Sequence, residues 1–156
     1  MANYYTNFSL IVPLPDAAAQ KYADELAEQA RYIHQGDEGM PDDFPASLRD
    51  VVEDWCFETE ANHLSNGFGL WLHSNDGGID AVCAFIQHLL QRFDPKGHVA
   101  LEWSNDCSKP RVDAFGGGAA LITARRIKSI NTGDWLHREI NRIQRSKPSA
   151  RKRRAA

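Results

Sequence analysis

The fold of this chain is decided by the stretch FGLWLHSNDGGIDAVCAFIQHLLQRF, residues 68–93. Phe68, Leu70 and Leu72 alternate with other residue types, and this period of two predicts a β-strand. After a turn of Asn, Asp and two glycines, apolar residues recur three and four positions apart from Ile79 to Phe93. That spacing predicts an amphipathic helix with one buried face. The stretch therefore indicates a sheet covered by helices.

The flanking sequence extends this pattern in both directions. Upstream, it predicts a strand over residues 8–14, a helix from 15 to about 33, and a strand over 55–60 that forms a hairpin with residues 68–73. Downstream, it predicts a strand over 99–103, a fifth strand from about 119 to 130, and a helix capped by Thr132. The apolar stripe of this last helix is predicted to be Trp135, Leu136, Ile140 and Ile143. The first six principal elements follow the split β-α-β order of ferredoxin-like folds. We therefore expect an α+β protein with a ferredoxin-like antiparallel sheet, helices on one face, an extra β-strand and a C-terminal helix.

Length and composition indicate a single domain over residues 1–145. The chain has 156 residues, 42% of them hydrophobic. No apolar run reaches the roughly 20 residues of a membrane helix, and no basic segment precedes the first apolar stretch, so neither a membrane nor a signal peptide is expected. Three cysteines without CxxC spacing, and histidines without an HExxH pattern, predict no metal and no cofactor. Free cysteines are typical of the cytoplasm.

Charge divides the chain into an acidic body and a basic end. Residues 141–156 hold seven basic residues and no acidic one, whereas the other 140 residues hold 11 basic and 21 acidic ones. A dense acidic face can bind a basic partner or imitate the phosphates of nucleic acid; it can also serve only solubility. The candidate partner-binding residues are Asp37, Glu38, Asp42, Asp43, Asp50, Glu53, Asp54, Glu58 and Glu60.

The basic end, residues 146–156, is predicted to be a disordered tail because it has nothing to bury. It could bind nucleic acid through phosphates without sequence preference. It could equally fold back on the acidic body or serve solubility. The residues of this candidate nucleic-acid arm are Lys147, Arg151, Lys152, Arg153 and Arg154.

The connection between the fourth and fifth predicted strands carries more chemistry than a turn requires. Lys109 and Arg111 could hold an anion, and consecutive glycines allow positive φ angles and a close approach of a ligand. Aromatic side chains, including Trp71 on the third strand, could stack on a ring. Alternatively, the glycines form only a bulge or a tight strand entry. The candidate ligand-binding residues are Trp103, Cys107, Lys109, Arg111, Phe115, Gly116, Gly117 and Gly118.

Known catalytic patterns are missing from the sequence. It contains neither GxxxxGK[ST] nor GxSxG, and no base is marked beside Cys107. The sequence therefore does not indicate an enzyme, and it predicts no catalytic residue.

Two strings, EWSNDCSKPR (residues 102–111) and FGGGA (115–119), are followed by NTGDWL at 131–136. Together they resemble small proteins of bacterial phages and of integrative or conjugative elements, over roughly residues 68–136. The resemblance implies a mobile genetic element in a bacterial cytoplasm, and it carries over no catalytic residue. Small acidic proteins of such elements often inhibit host defences by binding to them, which is an analogy of class.

Two functions follow as hypotheses. The first is a non-enzymatic protein whose acidic body engages a host complex that handles nucleic acid or acts in defence. The second is a small anionic-ligand or nucleotide site, possibly enzymatic, in the 105–118 loop. A homodimer formed through a sheet edge is a further expectation.

Overall fold

The computed structural model describes residues 1–64 and 67–147. The strands in these residues are β1 (Tyr4–Leu14), β2 (Glu58–Leu64), β3 (Gly67–Ser74), β4 (His98–Cys107), β5 (Gly116–Thr123) and β6 (Ile127–Asn131). The helices are α1 (Ala17–Gln35), α2 (Ala46–Arg49), α3 (Ile79–Phe93) and α4 (Thr132–Ser146), with a 3-10 turn at Val52–Asp54. The predicted α+β class is confirmed. The predicted tail lies outside the described residues from position 148 onward.

The strands form one antiparallel sheet in the order β2-β3-β1-β4-β5-β6. Strand β1 is shared between the two halves of this sheet. Its residues 4–7 pair with residues 104–107 of β4, and its residues 8–14 pair with residues 68–74 of β3. The central strand therefore joins a β2-β3 half to a β4-β5-β6 half through two successive segments.

A single hydrophobic core lies between the sheet and the helices α1 and α3. Alternate residues of the strands, among them Val12, Leu72 and Ile122, are fully or almost fully buried on one face. Phe85 of α3 is completely buried and meets the Trp55 ring edge-on at 5.2 Å between centroids. The helix predicted over residues 79–93 is confirmed with both of its ends. Its apolar stripe covers this core.

Four predicted strands are wrong in their bounds. Strand β1 begins at Tyr4 and not at residue 8, and β4 extends to Cys107, beyond the predicted end at residue 103. Trp55 and Phe57 alternate as strand residues do, yet they precede β2 and fill the core, with their rings 4.6 Å apart. The predicted fifth strand from 119 to 130 is two strands, β5 and β6, joined by a turn at residues 124–126. In that turn Thr123 and Arg126 exchange backbone and hydroxyl hydrogen bonds. The described part of the chain therefore has two strands beyond the first four, where one was expected.

Helix α1 begins one residue after Asp16, whose carboxylate accepts a hydrogen bond from the Ala19 N–H at 2.8 Å. This is a side-chain cap, which satisfies one of the N–H groups that a helix start leaves without a partner. Replacement of Asp16 by alanine should lower the free energy of unfolding by about 0.5–2 kcal/mol. Urea unfolding followed by circular dichroism measures this loss. Asp16→Asn keeps the acceptor and should retain most of the stability; equal losses in both variants would contradict the capping role.

Helix α4 departs from the expectation raised by its sequence. Its predicted apolar stripe of Trp135, Leu136, Ile140 and Ile143 is exposed by 47–60%, and none of its residues is buried. The N-cap is Asn131, not the predicted Thr132: the Asn131 side chain accepts from the Asp134 N–H at 2.8 Å. None of the helices in the described residues is long and apolar enough to cross a membrane.

Candidate functional site

The acidic residues predicted as a partner-binding face are all exposed, but they belong to four different segments of the chain. Asp37, Glu38, Asp42 and Asp43 lie in the loop after α1, and Glu58 and Glu60 lie on the edge strand β2. Between them, Asp50 ends α2, and Glu53 and Asp54 belong to the 3-10 turn. The structure therefore distributes these carboxylates around one side of the core and does not gather them at a single point.

Two of these carboxylates, Glu38 and Asp43, meet the polar face of α1 in a groove of about 520 Å³. Helix α1 contributes Glu25 and Glu28 to the same groove. The groove is completed by less polar groups, namely Tyr22, Leu26, Gln29, Tyr32 and Pro45. We call this concavity, with its four carboxylates and no basic residue in its lining, the acidic groove.

The loop wall of the acidic groove is fixed by Arg49. Its guanidinium donates to the backbone carbonyls of Pro41 at 3.0 Å and of Asp42 at 2.8 Å. Phe44 and Leu48, which flank the wall in sequence, are buried in the core. Since Arg49 holds the backbone at residues 41 and 42 and Phe44 is anchored in the core, Asp43 is presented by an ordered segment.

The negative charge of the acidic groove is only partly compensated. Glu25 pairs with Lys21 at 3.6 Å and Glu28 with Arg31 at 3.8 Å. Three of these side chains are largely exposed, and Arg31 is half-buried. Pairs of this kind contribute little. Among the described residues, no ion pair involves Glu38 or Asp43.

A neighbouring cleft extends the acidic surface toward β2. It is lined by Asp24, Glu28 and Glu58, with Arg31 as a cation in its wall. Partial burial raises the pKa of Asp24, and the nearby carboxylates of Glu28 and Glu25 raise it further. The raised pKa therefore has burial as its main cause, with the neighbouring carboxylates adding to it.

The aromatic end of the acidic groove is anchored to α3. The Tyr22 hydroxyl and His88 Nε2 are 2.8 Å apart, and the Arg92 guanidinium lies over the Tyr22 ring at 4.2 Å from its centroid. Burial lowers the pKa of His88, and the charge of Arg92 lowers it further. The imidazole is therefore held neutral, beside the groove, at neutral pH.

The lowered pKa of His88 predicts a pH dependence of stability. The unfolded chain binds the histidine proton more readily than the folded one. Stability is therefore complete above the ordinary histidine pKa of about 6.5 and falls as pH drops below it. We expect the free energy of unfolding of the wild type to decline between neutral and mildly acidic pH more than that of His88→Gln. Urea titrations at several pH values give both curves. Parallel curves would contradict the prediction.

The predicted ligand-binding residues of the 105–118 loop are only partly brought together. Trp103 and Gly116–Gly118 line a cavity of about 480 Å³ with Ile130 and Trp135. Neither Lys109 nor Arg111 belongs to this lining; both are exposed, as is Phe115. Cys107, half-buried, is the last residue of β4. The aromatic and glycine part of the prediction thus forms one cavity, and the cations lie outside it.

The glycines at 116–118 are strand residues and have no positive φ, so the predicted conformational role is wrong. Their role is spatial. Gly118 pairs with Trp103 across β4 and β5, and a Cβ at Gly118 would overlap the Trp103 ring. The close approach predicted for a ligand is made by a side chain of the protein itself.

Trp71 and His73 lie on the sheet face opposite the core, both half-buried. Their ring centroids are 4.1 Å apart with the rings tilted by 33°, and the Trp71 indole N–H donates to the Ser9 hydroxyl at 2.9 Å. They face Glu60 and Glu58 of β2 in the strand register. This carboxylate border disfavours a phosphate-bearing ligand on the aromatic pair.

Two of the three cysteines are poorly suited to act as nucleophiles. Burial raises the pKa of Cys83 to about 11, with a further contribution from Asp80. Burial also raises the pKa of Cys56, as do Asp54 and Asp76. Both thiols are therefore poor nucleophiles at neutral pH. Within the described ranges, no three His, Cys, Asp or Glu side chains are arranged to hold a metal ion.

Sequence reasoning missed Glu25 and Glu28, which form one wall of the acidic groove. The signal was present: these residues lie on the face of α1 opposite its apolar stripe of Ala19, Ala23 and Ala30. The loop residues opposite them could be paired with that face only through the tertiary structure.

Comparison with protein-family models, curated proteins and solved structures gives no match.

Proposed function

We propose that this chain is a binding protein whose acidic groove receives a basic segment of another protein. The observation that carries the proposal is the groove between α1 and the loop at 36–45, which has four carboxylates and no basic residue in its lining. A lysine- or arginine-rich segment would supply the missing charge. The tyrosines and Leu26 offer apolar contact for the aliphatic stems of such side chains.

Two properties support a binding role over a purely solvated surface. The loop wall is ordered by Arg49 and by the buried Phe44, so little entropy is lost when a partner is bound. The four carboxylates of the acidic groove line one concave surface. Two of them, Glu38 and Asp43, have no ion pair within the described part of the chain. A surface serving only solubility needs neither property.

The partner class that fits this chemistry is a protein with a basic surface, such as one that handles nucleic acid. The resemblance to proteins of bacterial mobile elements points to the same class, and a host complex of this kind remains our prediction. Location in a bacterial cytoplasm belongs to the same prediction.

The proposal is tested by affinity capture from bacterial lysate with charge-matched variants. One double variant, Glu28→Lys with Asp43→Lys, reverses two charges in the lining of the acidic groove. The control double variant, Asp94→Lys with Asp113→Lys, makes the same change of net charge outside that lining. We expect a basic protein to be retained by the wild type and the control pair and lost by the groove pair. Raised salt should weaken its retention.

Equal retention of the partner by both double variants would contradict the proposal. It would show that binding depends on the net surface charge and not on the acidic groove. Circular dichroism of the two variants shows that the fold is kept. Arg111→Ala is captured in parallel, because loss of the partner there would transfer the site to the 105–118 loop.

We also propose the finer fold assignment that the sequence predicts. Strands β1–β4 with helices α1 and α3 are assigned to a ferredoxin-like split β-α-β unit. The order β2-β3-β1-β4, with antiparallel neighbours throughout, supports this assignment. Strands β5 and β6 and helix α4 are then additions on the β4 side.

A further inference from the structure

Strand β2 forms one edge of the sheet and pairs with β3 alone among the described strands. Successive residues of a strand direct their N–H and C=O groups to opposite sides, so about three of the seven residues of β2 point these groups away from β3. No strand of the described sheet meets them. A strand edge with free backbone groups is a template for pairing with another extended chain.

The edge is held in place by a buried side chain of α1. Gln20 is 7% exposed, and its amide nitrogen donates to the carbonyl oxygens of Asn62 at 2.9 Å and Gly69 at 2.7 Å. Asn62 and Gly69 are opposite residues of β2 and β3, so the amide ties both strands to the helix. A strand that is already ordered loses little conformational entropy when a second chain pairs with it.

Acidic side chains flank this edge on both faces of the sheet. Glu58 and Glu60 are exposed and lie on the face opposite the core. On the helix side, Asp24 and Glu28 of α1 line the cleft of about 410 Å³ that borders the beginning of β2. Arg31, which also lines this cleft, is paired with Glu28 at 3.8 Å. The side chains of an added strand would alternate between the two faces, so both rows would meet carboxylates.

The charges of the edge select its occupant. Among the described residues, Asp24, Glu58 and Glu60 form no ion pair. A second copy paired through β2 would bring Glu58 and Glu60 of the two chains together on one face, and like charges destabilise such a pairing. An extended segment rich in lysine and arginine would bring backbone donors and acceptors together with the opposite charge.

We infer that β2 accepts an extended, lysine- and arginine-rich segment of another protein as a seventh strand of the sheet. The inference goes beyond the proposed function, because β2 lies outside the lining of the acidic groove. Of the acidic side chains that flank the edge, Glu28 also lines the groove, so the variants used to test the edge leave it unchanged. Failure at one site is therefore distinguished from failure at the other.

Amide hydrogen exchange with heptalysine as the probe tests the added strand. Bound heptalysine should slow the exchange of the outward amides among residues 58–62, by about tenfold at roughly nine times its dissociation constant. The matched control is heptalysine methylated at every peptide nitrogen, which keeps the charges and removes the N–H donors. It should leave the exchange of these amides unchanged. No protection of β2 by heptalysine, or equal protection by both peptides, would overturn the inference.

Charge-matched variants separate this edge from the acidic groove. Glu58→Lys with Glu60→Lys should raise the dissociation constant of heptalysine for β2, measured by the same protection, by about tenfold or more. Glu38→Lys with Asp43→Lys makes the same change of net charge in the acidic groove and should alter that constant by no more than about threefold. Circular dichroism of both variants shows that the fold is kept. Equal weakening by the two double variants would overturn the assignment of the segment to β2.

Discussion

Replacement of Phe85 by alanine should lower the free energy of unfolding by about 3–5 kcal/mol, the largest loss we expect from a single substitution in this chain. Phe85 has no exposed surface, and it packs against the rings of Trp55 at 5.2 Å and Phe57 at 6.1 Å between centroids. Truncation leaves a cavity whose walls are held by two other rings. Urea unfolding of the two proteins measures the difference.

The control for this prediction is Phe115→Ala, because Phe115 is 59% exposed. Its truncation should change the free energy of unfolding by no more than about 0.5 kcal/mol. Should Phe85→Ala fail to fold, Phe85→Leu keeps most of the volume and allows a measurable transition. A loss below 1 kcal/mol in Phe85→Ala would show that the aromatic cluster closes around the cavity, against the prediction.

Replacement of Gly118 by alanine should cost about 1–3 kcal/mol, although it adds only one methyl group. The new Cβ would overlap the Trp103 ring and lie 2.5 Å from the Ile130 carbonyl oxygen. Strand β5 must then move away from one neighbour or the indole must leave its place. Gly39→Ala is the matched control, because a Cβ there meets nothing within 4 Å. Equal stability of the two variants would contradict the spatial role of Gly118.

A double-mutant cycle separates the two contacts at Gly118. In a Trp103→Ala background the overlap with the ring is gone, so Gly118→Ala should cost less than in the wild type. The difference should be about 1 kcal/mol, since residues in direct contact couple by this order. Rescue should remain incomplete because the Ile130 carbonyl is unchanged. An identical cost in both backgrounds would assign the whole effect to the backbone contact.

Residue periodicity predicted the elements that bury a single face. The α3 stripe from Ile79 to Phe93 has only one way to meet the sheet, and its ends were predicted correctly. The break between β5 and β6 was not predicted, because its turn uses the hydroxyl and backbone of Thr123 in place of a glycine or proline. Alternation alone also could not distinguish Trp55 and Phe57 from strand residues, since an irregular segment can bury the same side chains.

The candidate sites show the same division between local and tertiary information. The loop acids Glu38 and Asp43 were identified from sequence, but the opposite wall of the acidic groove depends on how α1 lies against that loop. The glycines at 116–118 signalled a close approach correctly, and only the structure shows that Trp103 occupies the space. In α4 the stripe was visible in the sequence, whereas its exposure depends on where the preceding strand directs the helix.

Strand β1 pairs with β3 and with β4 through two successive segments, and this division affects local unfolding. Four residue pairs, between 4–7 and 104–107, join the three-stranded block β2-β3-β1 to the block β4-β5-β6. Cooperative units of folding are set by such connections. In amide hydrogen exchange, protection of the amides should be similar within each block and should differ between the two blocks. The amides of residues 4–7 should report on the β1–β4 pairing that joins them. The core beneath α3 still spans both blocks, so the division concerns the backbone pairing of the sheet and not its side-chain packing.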